Sequence, residues 1–141
     1  MTDIFCLVRR FLALFLLFCW FAVGYEGFRN MYINEEFESH EGDRIVLFWA
    51  EWCPHCKAIK SLENEQPKQW DLLEKRGGVS TSKGTVPALN YEVDEAPAIV
   101  EKYKIASFPT VLLIKSDGST VQQTEGGRNL KGWEEFVKEN I

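Results

Sequence analysis

The apolar positions of this chain fall into short runs of two kinds. Arg44-Ile-Val-Leu-Phe-Trp-Ala50 is continuously apolar after its first residue and rich in β-branched and aromatic side chains, the signature of a central strand covered on both faces. Thr110-Val-Leu-Leu-Ile114 repeats that signature, and Val86 to Val93 supplies another strand. Asp117-Gly118 is a two-residue hairpin signal ahead of a strand over Thr120 to Gln123. Helical spacing replaces the runs elsewhere. Leu130, Trp133, Phe136 and Val137 recur on one face of a last helix, and Ile99, Val100 and Tyr103 lie in a helix over Asp94 to Lys104. Gly77 to Gly84 reads as a flexible polar loop, and Gly27 to His40 as an opening helix or loop with Phe28, Met31, Tyr32 and Phe37 available for packing. The order of these elements predicts an α/β fold: a central mixed sheet flanked by helices, with a parallel crossover after the first strand.

The first 25 residues follow a different rule. Arg9 and Arg10 precede Phe11 to Val23, a stretch without any charge. Thirteen residues are short against the roughly 20 that cross a bilayer core, and sit at the upper end of a signal-peptide apolar region. Ala22 and Gly24 would suit a cleavage after Gly24, whereas Ile4-Phe-Cys-Leu-Val8 could deepen a retained anchor. The expected division is therefore 1–25 as signal peptide or N-terminal membrane anchor, and 26–141 as one folded domain. If the segment is uncleaved, residues 4–25 contact the membrane. In either case the two arginines keep the N-terminus cytoplasmic. The folded part is then expected on the non-cytoplasmic side, in a periplasm, an endoplasmic reticulum lumen or the exterior.

With 141 residues, 45% of them apolar and 26% charged, the chain has material for a single core and is neither disordered nor a disulfide-dense scaffold. A formal charge of -5 argues against nucleic acid as a partner, because neutralising phosphates takes clustered Lys and Arg.

Of four cysteines, Cys6 and Cys19 lie in the membrane-directed segment, which leaves Cys53 and Cys56 as the pair in the folded part. They stand in Glu51-Trp-Cys-Pro-His-Cys-Lys-Ala-Ile-Lys60, right after the first strand. Pro54 suits the first turn of a helix, where its missing N–H costs nothing. That helix is expected to run past Leu62, with Pro67 marking a break before Trp70, Leu72 and Leu73. A sulfur at a helix N-terminus meets free N–H groups and the positive end of the helix dipole, so Cys53 is expected to have a lowered pKa and to be the nucleophile. Cys56, one turn on and less exposed, would resolve the mixed disulfide. His55 beside the thiolate would stabilise the reduced state and make the disulfide a better oxidant. Zinc is the weaker reading, since two cysteines with His40 and His55 lack the second cysteine pair of structural sites. A merely structural bridge is weaker too, because so short a loop constrains almost no chain.

Phe48-Trp-Ala-Glu-Trp-Cys-Pro-His-Cys-Lys57 closely resembles the active-site segment of the thioredoxin family, and Phe108-Pro-Thr110 resembles its cis-proline element. Asp94 and the Gly126-Gly127 pair stand where that family has a strand-end Asp and a late glycine. The resemblance covers residues 40 to 141. It implies a thioredoxin fold, protein substrates with cysteines, a redox partner, and exchange that needs neither metal nor cofactor. It also implies a cis Pro109 that lets the Phe108 backbone pair with substrate, and Trp52 as the aromatic beside the nucleophile. The Pro54-His55 dipeptide is that of the DsbA oxidases, which points to oxidation or isomerisation; the alternatives are a partner-specific reductase and a non-catalytic client-binding module. Leu47 replaces the family's buried acid, with Glu92 or Glu51 as candidate substitutes, and Asn90 replaces a nearby strand lysine.

Overall fold

The computed structural model describes residues 24–25, 27–29, 31–33, 35, 37, 40–62 and 65–141. The charge-free segment 11–23 lies outside them, and among the described residues no helix is long and apolar enough to cross a membrane.

Strand β1 (Arg44–Trp49) is buried along its whole length, as its unbroken apolar run requires. It is the second strand of a sheet in the order β4-β1-β5-β6, with β4 at Ala88–Glu92, β5 at Thr110–Ile114 and β6 at Thr120–Gln122. β1 pairs parallel with β4, placing Leu47 opposite Asn90, and antiparallel with β5, placing Leu47 opposite Val111. The mixed sheet and the parallel crossover are thus as expected. Side chains alternate across it: Ile45, Leu47 and Trp49 enter one core cluster, Val46 and Phe48 the other. The first cluster contains both cysteines with Trp70, Leu73, Trp133 and Val137. The second is built on Phe37, Phe48 and Tyr91.

Helix α1 (Pro54–Lys57) is a single turn, far shorter than the expected run past Leu62. The N–H groups of Ala58, Ile59 and Lys60 converge on the Cys56 carbonyl in a closing turn, and the next two donors are taken by carboxylates: the Ser61 N–H donates to Asp71 Oδ2 at 2.9 Å and the Leu62 N–H to Glu65 Oε2 at 3.2 Å. Helical structure resumes as α2 (Gln69–Lys75), after Pro67. The Gly77 to Gly84 stretch is not a loop. It contributes to a hairpin of β2 (Val79–Thr81) and β3 (Gly84–Val86), held by Val79 opposite Val86 and by the Thr81 hydroxyl donating to the Gly84 carbonyl at 2.6 Å. Gly78 enters it at φ 115°, where a Cβ would lie 2.0 Å from the Val86 carbonyl oxygen, so no side chain fits. The strand expected over Val86 to Val93 is divided at Pro87, which has no N–H for a ladder; its carbonyl still accepts from Ile45 at 2.9 Å. Helix α3 (Pro97–Lys102) begins three residues later than expected, and α4 (Leu130–Asn140) closes the fold. The described residues between 24 and 37 are helical; they dock through Ile33 and Phe37 on the second cluster.

Candidate active site

The carboxyl end of β1 delivers Cys53 to the surface edge of the sheet, where open α/β sheets place reactive groups. Cys53 is the N-cap of α1 with Pro54 as its first helical residue. The Cys56 N–H donates to Cys53 Sγ at 3.4 Å, and the Cys53 thiol donates to the Phe108 carbonyl oxygen at 3.6 Å. The Phe108-Pro109 bond is cis, so the chain turns the Phe108 carbonyl toward the sulfur and leaves Pro109 buried beneath it. Four of the residues singled out in the sequence, Trp52, Cys53, Phe108 and Pro109, therefore meet from segments more than fifty residues apart. Trp52 is 63% exposed; its ring meets that of Phe108 edge-on at 5.9 Å, and its indole N–H donates to Asp94 Oδ2 at 3.2 Å. His55 and Pro54 are exposed on the outer side of the turn. Because α1 is one turn long, it carries little of the macrodipole a full helix would bring to Cys53; the local Cys56 N–H is what the site retains.

Cys53 and Cys56 are both free thiols, and Cys56 is wholly buried. Burial pushes the Cys56 thiol up to about 12, because a thiolate there would lose its hydration. Its hydrogen bond with Cys53 pushes the same way and the Ala50 backbone opposes it, with smaller electrostatic effects of Cys53 upward and Arg128 downward. The two carboxylates expected to stand in for an acid at Leu47 are engaged elsewhere or exposed. Glu92, one candidate, accepts backbone N–H groups of Glu51 at 3.2 Å, Asp94 at 2.7 Å and Glu95 at 3.2 Å, and so caps the turn leading to α3. Glu51, the other, is exposed.

A polar network on the cysteine face escaped the sequence reading. Trp49 Nε1 donates to Asn90 Oδ1 at 2.8 Å, Asn90 Nδ2 to Glu74 Oε1 at 2.5 Å, and Trp70 Nε1 to the same oxygen at 3.1 Å. Lys60 bridges Glu74 Oε2 at 3.2 Å and Asp71 Oδ1 at 2.6 Å. Burial works against the Asp71 charge, yet the Lys60 ammonium and the donors of Ser61 and Lys68 hold its carboxyl down at about 2. Lys60 is correspondingly raised, its burial outweighed by the two carboxylates. Six residues from α2, β1, β4 and the segment after α1 take part, and no local spacing announces such a set. Among the described residues no group of three or more His, Cys, Asp or Glu could hold a metal ion.

The Thioredoxin family profile matches residues 28–139. The chain belongs to the thioredoxin family. It is 32% identical over 95 residues to a thioredoxin of Staphylococcus epidermidis, covering 66% of this chain and 79% of that one. It is 29% identical over 97 residues to protein disulfide isomerase-like 2-1 of Oryza sativa subsp. japonica, covering 69% of this chain. The match takes in only 24% of that isomerase-like protein, so the chain corresponds to about a quarter of its length. The solution structure of the first thioredoxin domain of mouse protein disulfide-isomerase A4 superposes with a TM-score of 0.55 at 16% identity, over 76% of this chain and 71% of that domain, which establishes a shared fold.

Proposed function

We propose that this thioredoxin-family chain is a thiol–disulfide oxidoreductase acting on protein cysteines, in the oxidising or isomerising direction, from a non-cytoplasmic position at a membrane through residues 4–25. The observation that carries the reading is the placement of Cys53 Sγ between the Cys56 N–H and the Phe108 carbonyl at a cis proline. In the oxidising direction a substrate thiolate attacks Cys53 of the Cys53–Cys56 disulfide, and Cys56 leaves as a thiolate that takes up a proton. A second substrate thiolate then attacks the substrate sulfur of the mixed disulfide and releases Cys53. Two substrate thiols become one disulfide, and the two electrons rest on the cysteine pair until a redox partner removes them. Trp52 and Phe108 would receive the substrate chain beside the sulfur, and the Pro54-His55 dipeptide, shared with the DsbA oxidases, favours the reduced pair.

The Cys53→Ser variant is expected to abolish both insulin reduction and the rescue of scrambled substrates; activity equal to wild type would instead make the chain a client-binding module. Direction follows from the equilibrium of the pair with glutathione. A potential well above the roughly -270 mV of thioredoxin supports oxidation, and a value near it supports the partner-specific reductase.

A further inference from the structure

Six large apolar side chains are exposed among the described residues, and four of them share the helical stretch between residues 24 and 37: Tyr25 at 67%, Phe28 at 72%, Met31 at 50% and Tyr32 at 71%. Positions 25, 28 and 32 follow the i, i+3, i+7 spacing of one helix face, with 31 beside them. The opposite side is already occupied. Ile33 and Phe37 pack on the second core cluster, and Arg29 pairs with Glu95. A helix that is apolar on two sides has one side left to cover.

We propose that this outer face lies in the headgroup layer of a bilayer, with the helix along the membrane plane, a proposal that rests on the reading of residues 4–25 as a retained anchor. The charge-free run ends at Val23, and two further residues reach at most about 7 Å even when fully extended. Tyr25 therefore cannot stand far from the edge of the hydrocarbon. The headgroup layer is roughly 5–7 Å thick on each side. An upright helix would lift Tyr32 about 10 Å above Tyr25, through that layer and into water, whereas a flat one keeps all four side chains within it. Tyr and Phe rings suit that depth, having an apolar body and, for Tyr, a polar tip. Glu35, exposed in the same arc, fits headgroups and not acyl chains. A second copy of the chain could also cover such a face, but the tether holds the bilayer at high effective concentration for every molecule. The Arg29–Glu95 pair joins this helix to the turn whose Asp94 accepts from Trp52. The flat helix thereby fixes the rim of the cysteine site beside the membrane, within reach of thiols close to its surface.

The test uses the full chain reconstituted in phosphatidylcholine vesicles, with the photo-crosslinking residue p-benzoylphenylalanine placed in turn at Phe15, Phe28, Tyr32 and Lys131. Mass spectrometry after illumination should find lipid adducts at 15, 28 and 32 and none at 131. A lipid adduct at 15 with none at 28 and 32, or with a link between two chains at 28, overturns the proposal and leaves the anchor standing. Adducts at 15 and 28 but not at 32 mean an upright helix and overturn it as well. No lipid adduct at any position removes the anchor and the proposal together. Circular dichroism of each variant checks folding.

Discussion

The two faces of the sheet are built from alternate residues of the same strand, yet they are held by different physics. On one side of β1, Val46 and Phe48 meet rings: Phe37 contacts Tyr91 edge-on at 5.1 Å and Tyr103 at 5.4 Å, and the Arg44 guanidinium lies 4.8 Å over the Phe37 ring. On the other, Leu47 and Trp49 share their cluster with the two cysteines, and the polar network from Trp49 to Asp71 runs along its edge. Packing secures the aromatic face, whereas the cysteine face sets burial of a thiol against an array of paired charges. Changes on the aromatic face therefore fall first on stability and reach the site only through Phe108 at its margin, whereas changes on the cysteine face meet the reacting sulfurs directly.

Phe37→Ala should separate these roles most sharply. Phe37 is wholly buried, and removing such a ring costs about 3–5 kcal/mol. Urea unfolding should show that loss, with insulin reduction per folded molecule unchanged. A comparable fall in the activity of the folded fraction would break the distinction between the faces.

Leu47→Glu probes the opposite face. Leu47 is fully buried in the cysteine cluster, so an introduced carboxyl should destabilise by roughly 3 kcal/mol. It would also restore a proton acceptor to that cluster, and the lifetime of the mixed disulfide on Cys53 should shorten. An unchanged lifetime would show that the thiol of Cys56 does not limit resolution.

The acid limb of stability belongs to the cysteine face too. Asp71 has its carboxyl at about 2 against an ordinary 3.8. A depressed carboxylate stabilises the fold above its unfolded value, and the contribution is lost as pH falls from about 4 through 2. At about 1.4 kcal/mol per unit this amounts to about 2 kcal/mol. Asp71→Asn should therefore flatten urea midpoints between pH 4 and 2, and an acid limb identical to wild type would place the sensitivity elsewhere.

What the sequence revealed and what it hid divide along the same line. β1, β5 and α4 were legible because burial on two faces, or on one helical stripe, writes a periodic pattern, and the cysteines and cis proline were legible through short motifs. The shortness of α1 was not, because the chain turns on the Cys56 carbonyl and the Ser61 N–H then goes to Asp71, ten residues on. The β2–β3 hairpin was hidden because its only apolar anchors, Val79 and Val86, flank polar residues that also suit a loop. The network of Trp49, Asn90, Glu74, Lys60 and Asp71 was hidden because tertiary proximity alone assembles it. Gly132 carries the same lesson: a glycine inside α4 looks unfavourable until the fold shows that a Cβ there would meet the Gly127 carbonyl oxygen at 2.0 Å.

The smallest expected effect concerns Cys56 itself and changes no stability at neutral pH. Its thiol is raised to about 12 from 9.0, with burial the largest cause, so its proton should stay in place wherever Cys53 is altered. In the Cys53→Ser variant the Cys53 charge is gone but the burial remains. Iodoacetamide at pH 8 should then modify Cys56 more than about tenfold slower in the folded chain than in the chain unfolded by guanidinium, since only thiolate reacts; peptide mapping separates it from Cys6 and Cys19. Raising the pH past 9 should destabilise the fold through this group, because the native state holds its proton longer than the unfolded one. Equal labelling in the folded and unfolded chains would mean that the sulfur reaches solvent. The cysteine face would then be no more protected than the rim around Trp52, and the shorter mixed-disulfide lifetime expected of Leu47→Glu would lose its physical basis.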